Sequence, residues 1–208
     1  MSAIAVKMPE EVEIAREGIL RFAEKEVLTR HQKYAGFFED PRKLYDENGR
    51  FSTDLVALIT EVRTLSAEAG FYGMCVPEAL GGGGLGHLAY YAAWEALFHR
   101  CGPKNWLMLY VLAHWAFGPS KLLEQMSEEA KAVFLPELMS GTKSMCFGLT
   151  EPNAGSDASM LATKAVEEGD GWRLSGRKIW TTNAPIADFC VVFAKTSSGI
   201  TAFMVPTD

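Results

Sequence analysis

The sequence predicts an α+β protein in which an all-α amino-terminal domain, residues 1–141, is followed by a small antiparallel β domain, residues 142–208. Two observations predict this fold class. Apolar residues recur with helical spacing up to about Gly141. From about Ser144 the chain changes to short segments rich in Val, Ile, Phe and Thr, separated by glycine-containing turns. With 48% hydrophobic residues among 208, both parts have the material for a packed interior.

Charge and composition exclude several classes of protein. Twenty Lys plus Arg against 26 Asp plus Glu give a net charge of -6, so we expect no nucleic-acid partner. Cys75, Cys101, Cys146 and Cys190 are far apart and indicate reduced thiols rather than a zinc or redox motif. The amino terminus resembles neither a signal nor a transit peptide, which predicts a cytoplasmic protein. The longest apolar stretch, 106–117, is shorter than the roughly 20 residues that cross a bilayer, so no membrane association is expected.

The first predicted element is an amphipathic helix between Glu10 and Arg30. Its apolar residues fall on one stripe, and charged residues occupy the opposite face. The stripe consists of Ile14, Ile19, Leu20, Phe22, Ala23 and Val27. We expect this stripe to face the core.

A second helix follows a segment of turn-forming residues, 40–52. It is predicted to begin at Thr53 or Asp54 and to end at Ala69. Gly70 stands where a left-handed cap would close it. Its predicted buried face is formed by Leu55, Leu58, Ile59, Val62 and Leu65.

The rest of the helical domain follows the loop VPEALGGGGLG. Helices are predicted over Tyr90–Phe98 and Trp106–Phe117, and two shorter helical runs end before Gly141. Ser127 is the predicted cap of the last run, because its hydroxyl can accept from a free amide of the first turn. Pro136 is expected to end that helix.

Five segments of the second domain are predicted to be antiparallel strands. They are SMCFGL, ATKAVEE, WRLSGRKIWTT, DFCVVFAK and ITAFMV. The turn EGDG between Val166 and Trp172 indicates a hairpin, since Gly169 and Gly171 can adopt positive φ.

Three motifs point to chemistry that their context does not support. Gly81, Gly83 and Gly86 match GxGxxG, but no strand precedes them and no ribose-binding acid follows, so a flexible loop is expected. The four histidines lack ligand spacing, which predicts no metal site. Ser156 stands beside an aspartate, but no histidine follows residue 114, so the hydrolase order Ser, Asp, His cannot be met. The basic pair at 177–178 is expected to be a solvated strand end.

The segment FGLTEPNAGSDAS, Phe147–Ser159, is a better candidate for a binding site. It leaves an apolar strand and concentrates main-chain amides with the hydroxyls of Thr150, Ser156 and Ser159. Such a loop can hold a polar ring edge or a phosphate. The residues alone leave open an ordinary corner made of Asx and Ser turns.

A second candidate is KIWTTN, residues 178–183, where a predicted strand ends in a large aromatic residue and two hydroxyls. Trp180 can lie against a flat ligand while Thr181 or Thr182 donates a hydrogen bond to it. A core tryptophan at a strand end is the alternative. Because one hairpin joins the two candidate segments, their strand ends can meet on one side of the sheet.

Taken together, these motifs resemble the acyl-CoA dehydrogenase family. GLTEPNAGSD is similar to the flavin-loop signature of that family and KIWTTN to its second flavin-contacting strand, in the same order and after a helical region with VPEALGGGGLG. The resemblance covers the whole chain, as the amino-terminal helical domain and most of the middle β domain. It implies FAD bound between the domains and an acyl-CoA thioester stacked on its isoalloxazine ring.

The resemblance also implies roles for individual residues. The cofactor-binding residues are Phe147, Leu149, Thr150, Ser156, Trp180, Thr181 and Thr182. Among them, Ser156 would face the cofactor pyrophosphate and the acyl-CoA, and Trp180 would cover the flavin face away from substrate. Thr182 would donate near the nitrogen that accepts hydride, where a donor stabilises the arriving charge.

The implied reaction is α,β-dehydrogenation of an acyl-CoA, with electrons passed on to an acceptor of the electron-transfer flavoprotein type. The family's base is a glutamate of a carboxy-terminal helical domain, and no residue here matches it, so no catalytic residue is assigned. Glu151 is expected to be a structural acid. We expect the chain to represent the amino-terminal part of a homo-oligomeric enzyme.

Two other functions remain open at the level of sequence. The first is a non-catalytic partner subunit that binds flavin or acyl-CoA. The second is a flavoenzyme with other chemistry on the same fold, such as an acyl-CoA oxidase or a nitroalkane oxidase relative. Acyl length and branching are not given by the sequence.

Overall fold

The structure is a computed structural model that describes residues 7–207. Its α-helices are α1 (Glu10–Phe22), α2 (Thr29–Lys33), α3 (Ala35–Phe38), α4 (Thr53–Glu68), α5 (Gly86–Cys101) and α6 (Glu128–Met139). A π-helical turn, Ala23–Leu28, joins α1 to α2, and 3₁₀ turns occur at Pro41–Leu44, Glu78–Leu80, Trp106–Tyr110, Lys121–Gln125 and Ala158–Met160. The strands are β1 (Met145–Gly148), β2 (Lys164–Glu168), β3 (Gly171–Ser175), β4 (Phe189–Thr196) and β5 (Gly199–Pro206). The α+β class is confirmed. Within residues 7–207, no helix has the length and apolarity to cross a membrane.

Helix α4 confirms its predicted boundaries. The Ser52 hydroxyl accepts from the Leu55 amide at 3.3 Å, and Gly70 follows with φ of +81°. The cap of α6 at Ser127 is confirmed in the same way, through the Ala130 amide at 3.2 Å. The prediction that Pro136 ends α6 is wrong. The proline removes one main-chain donor, but the next turn still forms because Leu138 becomes fully buried.

The first predicted helix forms with one error in its buried stripe. Ile19, Phe22, Ala23 and Val27 are buried, whereas Ile14 is 60% exposed. Helix α5 is longer than predicted.

The predicted helix Trp106–Phe117 is wrong beyond its first turn. After Tyr110 the main chain keeps only isolated turn bonds and pairs with other segments: the Ala113 amide donates to the Tyr72 carbonyl at 2.8 Å, and the Phe117 carbonyl accepts from the Met145 amide. Apolar character therefore predicted burial correctly here, but not conformation.

The glycine loop before α5 is packed rather than flexible, which corrects the sequence expectation. A Cβ on Gly82 would overlap the Val76 carbonyl, and one on Gly83 would lie 2.7 Å from the Met74 oxygen. A 3₁₀ turn precedes the loop, as expected for a chain that lacks the dinucleotide-binding strand.

The sheet is mixed, which corrects the prediction of a purely antiparallel one. Strands β2 and β3 form the predicted hairpin, with Gly169 at φ of +60°, whereas Gly171 is simply the first residue of β3. Strand β4 pairs antiparallel with β5 but parallel with β1 and, at one position, with β2. Parallel pairing needs a long crossover connection, and residues 149–188 provide it between β1 and β4. Strand β3 ends at Ser175, so the segment KIWTTN is not part of a strand.

One hydrophobic cluster joins the helical part to the sheet. The Phe134 ring on α6 meets the Phe189 ring on β4 edge to face at 5.0 Å, and Leu138 and Met145 are fully buried beside them. The carboxyl end of α6 is thereby fixed against the start of β1 and β4.

A buried arginine holds the turn from which β1 starts. Arg63 on α4 is 3% exposed and donates to the main-chain oxygens of Gly141 and, at 3.3 Å, Thr142. Burial lowers the pKa of Arg63 because the charged form loses hydration, although the Asp188 carboxylate partly opposes this. The guanidinium therefore stabilises the passage from helices to sheet.

We expect Arg63→Leu to lower the free energy of unfolding by about 2 kcal/mol, because the buried Gly141 carbonyl and the partly buried Thr142 carbonyl lose their donor. Arg173→Leu, at an exposed arginine of β3, is the matched control and should change it by less than about 0.5 kcal/mol. Urea unfolding of the intact protein measures both. Equal effects of the two substitutions would contradict this role for Arg63.

Candidate flavin site

The two polar segments singled out in the sequence lie side by side. The Ile179 amide donates to the Thr150 carbonyl at 2.9 Å, and the Lys178 ammonium donates to the Leu149 carbonyl at 3.1 Å. Further along, the Asn183 side-chain amide donates to the Met145 carbonyl at 3.0 Å. The predicted meeting of the segments is therefore present, although it is made by irregular chain beside β1 and not by two strand ends.

A buried ion pair fastens this junction. The Lys178 ammonium lies 2.7 Å from the Glu151 carboxylate, and their side chains are 13% and 5% exposed. The expectation that 177–178 is a solvated basic pair is thus wrong for Lys178. The spacing of 27 residues between the partners gave no local signal, so sequence reasoning missed the pair.

The environment of Glu151 fixes its protonation state. Burial raises the pKa of this carboxyl, but hydrogen bonds from Lys178, from Thr163 and from the amide of Ala162 outweigh burial and lower the pKa to about 2. A carboxylate held this firmly by donors is a structural acid, as expected, and not a proton acceptor.

Trp180 stands out in both backbone and exposure. Its φ is +57°, a conformation that bulky residues rarely adopt and that costs about 1–3 kcal/mol. Its side chain is 86% exposed, so the alternative of a core tryptophan is wrong. The strained backbone holds a large aromatic face outside the core, which is the arrangement that a flat ligand requires. Thr182 is exposed and Thr181 half-buried beside it.

The other predicted site residues follow the same edge of the sheet. Phe147, Leu149 and Thr150 are half-buried along and just after β1, and the Phe147 ring meets Trp115 edge to face at 5.3 Å. Ser156 is exposed in the loop that follows. A tight turn positions this loop, with the Glu151 amide donating to the Ala154 carbonyl at 2.9 Å.

An aromatic cavity of about 510 Å³ opens beside Thr182 and Asn183. Most of its wall comes from rings on α5 and on the segment after it, among them Trp94, Phe98 and Trp106. The i, i+4 spacing of Trp94 and Phe98 on α5 was the signal in the sequence for this wall. No cluster of metal-ligating side chains occurs among residues 7–207.

Comparison with protein families gives two matches. Residues 9–142 match the model of the acyl-CoA dehydrogenase N-terminal domain. The chain belongs to the acyl-CoA dehydrogenase family. Residues 146–208 match the model of the acyl-CoA dehydrogenase middle domain, so the region that holds both polar segments is matched as well.

Individual relatives agree with this assignment. The short-chain specific acyl-CoA dehydrogenase of Bos taurus is 36% identical over 207 residues, which are 97% of this chain and 45% of that protein. The CarC subunit of the caffeyl-CoA reductase-Etf complex of Acetobacterium woodii is 34% identical, covering 77% of this chain and 41% of the subunit. A glutaryl-CoA dehydrogenase of Mycobacterium smegmatis in complex with FADH2 superposes with a TM-score of 0.70 at 26% identity. The match covers 97% of this chain and 46% of the dehydrogenase chain. The chain spans less than half the length of these acyl-CoA dehydrogenase relatives.

Acyl-CoA dehydrogenases use FAD, and the residues present fit that group. The observation that tests the fit is Trp180, whose exposed indole face is held out by an unfavourable backbone conformation. Exposed hydroxyls stand on both sides of the junction, at Ser156 and Thr182. A flat, polar-edged ring system matches this combination of an aromatic face and hydrogen-bond donors.

Proposed function

We propose that the protein is an FAD-dependent acyl-CoA dehydrogenase that forms the α,β double bond of an acyl-CoA thioester, with this chain supplying the helical and middle domains. The single observation that carries the proposal is the junction of the two polar segments, with Trp180 exposed beside it. When bound, FAD supplies the acceptor for the hydride that leaves the β carbon.

In the proposed reaction, the residues of this chain bind the flavin and the substrate and orient them. The Trp180 indole would lie against the ring face away from substrate, and the Thr182 hydroxyl would donate to the ring edge that gains charge. Phe147 on β1, with Leu149 and Thr150 just after it, would line the ring together with Thr181 from the second segment. Ser156 would face the cofactor pyrophosphate and the acyl-CoA.

None of these residues takes up the α proton. Glu151, which directly follows Thr150, already accepts from Lys178 and Thr163, and its pKa of about 2 makes it a poor base. We assign no proton-abstracting residue within residues 7–207. The chain's contribution to the reaction is therefore the binding and polarisation of the ring, for which a dry, pre-formed site is needed.

Two partners belong to the same proposal. An acceptor of the electron-transferring flavoprotein type would take the electrons, and the relative from Acetobacterium woodii supports this because its name places it in an Etf complex. A homo-oligomer is proposed for the intact enzyme.

The test is anaerobic reduction of the flavin in the intact protein that contains this chain. We expect butanoyl-CoA to bleach the oxidised flavin absorbance. Acetyl-CoA, which has no β carbon, is the matched control and should leave it unchanged. A flavin that stays oxidised with every thioester of three or more carbons would contradict the proposal. Rapid reoxidation of the reduced flavin by oxygen would instead favour an acyl-CoA oxidase.

A further inference from the structure

We propose that the aromatic cavity receives an aryl group carried by the acyl chain, so that the preferred substrates are thioesters of short aryl-substituted acids such as 3-phenylpropanoyl-CoA. This inference rests on the proposed function and specifies the substrate class of the same site. It concerns the wall built from Tyr90, Trp94, Phe98, Trp106 and Phe117, referred to below as the aromatic wall.

The cavity is continuous with the proposed flavin site. Thr182 and Asn183 line it, and Thr182 is the residue proposed to donate to the ring edge near the reacting atoms. The aromatic wall, on α5 and the segment that follows, lines the same cavity. A thioester with its β carbon at the flavin would therefore extend the rest of its acyl chain into this cavity.

The rings of the wall are oriented for contact with another ring. Tyr90 and Trp94 meet edge to face at 6.1 Å, and Trp94 and Phe98 are tilted at 39° with 5.8 Å between centroids. Trp106, also in the wall, meets Phe51 edge to face at 5.7 Å. A wall of this kind offers both ring edges and ring faces, and aromatic pairs gain about 0.5–1.5 kcal/mol beyond their buried area. An alkyl chain gains only the free energy that comes from burying its apolar area.

Two polar side chains of the cavity, Asn183 and His114, do not compete for the ligand. The Asn183 side-chain amide donates to the Ser144 hydroxyl and the Met145 carbonyl, so it is engaged by β1. Burial lowers the pKa of His114, which keeps its imidazole neutral at physiological pH. No charged side chain occurs among the described residues that line the cavity. A mostly aromatic lining without charged side chains therefore favours an uncharged, ring-containing group.

The size of the cavity also favours an aryl group over a short straight chain. A volume of about 510 Å³ lies within the range of roughly 300–1,000 Å³ typical of small-molecule sites. The single terminal methyl group of a straight four-carbon acyl chain would leave most of the wall uncovered. Wall rings that the acyl chain does not cover lack the van der Waals contacts that an aryl ring of the ligand would make.

The decisive experiment compares two thioesters on the intact, FAD-loaded protein. We expect kcat/KM for 3-phenylpropanoyl-CoA to exceed that for butanoyl-CoA by about tenfold, the discrimination that one well-placed ring contact provides. Cinnamoyl-CoA, the unsaturated product, should perturb the oxidised flavin spectrum on binding, which gives a readout independent of turnover.

Variants of the wall locate the effect. Trp94→Leu and Phe98→Leu remove a ring but keep an apolar side chain, and Phe98 is 43% exposed, so its replacement does not endanger folding. Each should lower the aryl preference by about threefold to tenfold and weaken cinnamoyl-CoA binding equally. Trp172→Leu, at an equally exposed tryptophan on β3 outside the cavity, is the control and should change neither value.

The outcomes separate this inference from the proposed function. If butanoyl-CoA bleaches the flavin and the aryl thioester is not preferred, the inference is overturned while the dehydrogenase proposal stands. If wall variants lower turnover of both thioesters equally, the wall is structural and the inference is again overturned. If no thioester reduces the flavin, the dehydrogenase proposal fails, and cinnamoyl-CoA binding that is weakened in Trp94→Leu and Phe98→Leu but not in Trp172→Leu still supports an aryl site.

Discussion

Replacing Glu151 by Gln is expected to lower the free energy of unfolding by about 3–5 kcal/mol, the usual cost of breaking a buried ion pair from one side. The change leaves the Lys178 ammonium, 13% exposed, without its counter-charge. It also weakens the hydrogen bonds that hold Thr163 at the start of β2. Chemical unfolding of the intact protein measures the loss.

A double-mutant cycle separates the pair from its surroundings. Lys178→Met alone should destabilise the protein nearly as much as Glu151→Gln. The double variant should lose less stability than the sum of the two single variants, because it leaves no unpaired charge buried. Glu168→Gln is the matched control in the same sheet. Its partner Arg173 lies at 3.2 Å and both side chains are more than half exposed, so a change under about 1 kcal/mol is expected.

Acid titration gives the same prediction an independent readout. Because the pKa of Glu151 falls from its ordinary 4.5 to about 2 in the folded protein, the ionised form stabilises the fold. This contribution is present above about pH 4.5 and disappears as the pH falls toward 2. Glu151→Gln should remove it, so that the stability of the variant depends less on pH in that window. Additive losses in the cycle together with an unchanged acid profile would show that the pair is not coupled.

Local features of the fold were predictable because they depend on neighbouring residues. The cap at Ser52, the left-handed Gly70 and the turn at Gly169 each follow from residues within a few positions. The errors arose where distant contacts decide. Pro136 lies inside α6 because Leu138 is buried against the sheet, and the segment after Tyr110 is irregular because its main chain bonds to neighbouring loops.

The candidate site shows the same division. The two polar segments were recognisable as motifs, and their approach follows from the hairpin that joins them. The partnership of Glu151 with Lys178, and the positive φ of Trp180, are tertiary properties that no local pattern encodes. Parallel pairing of β1 with β4 was missed for a related reason, since strand composition does not report direction.

Trp180→Ala is expected to raise the dissociation constant for FAD by roughly thirtyfold, corresponding to about 2 kcal/mol of lost ring contact. The free energy of unfolding of the flavin-free protein should change by less than about 0.5 kcal/mol, because the side chain is 86% exposed and buries little surface. This combination distinguishes a ligand-facing tryptophan from a structural one, whose removal would destabilise the protein first.

The measurement is a fluorescence titration of flavin-free intact protein with FAD, paired with urea unfolding of the same samples. Trp172→Ala is the control, because that tryptophan lies on β3, contacts Phe203 at 5.3 Å and is only 43% exposed. It should leave FAD affinity unchanged and cost more stability than Trp180→Ala. If Trp180→Ala binds FAD as tightly as the unmodified protein, the strained backbone at this position serves some other contact, and the proposed placement of the ring against Trp180 is wrong.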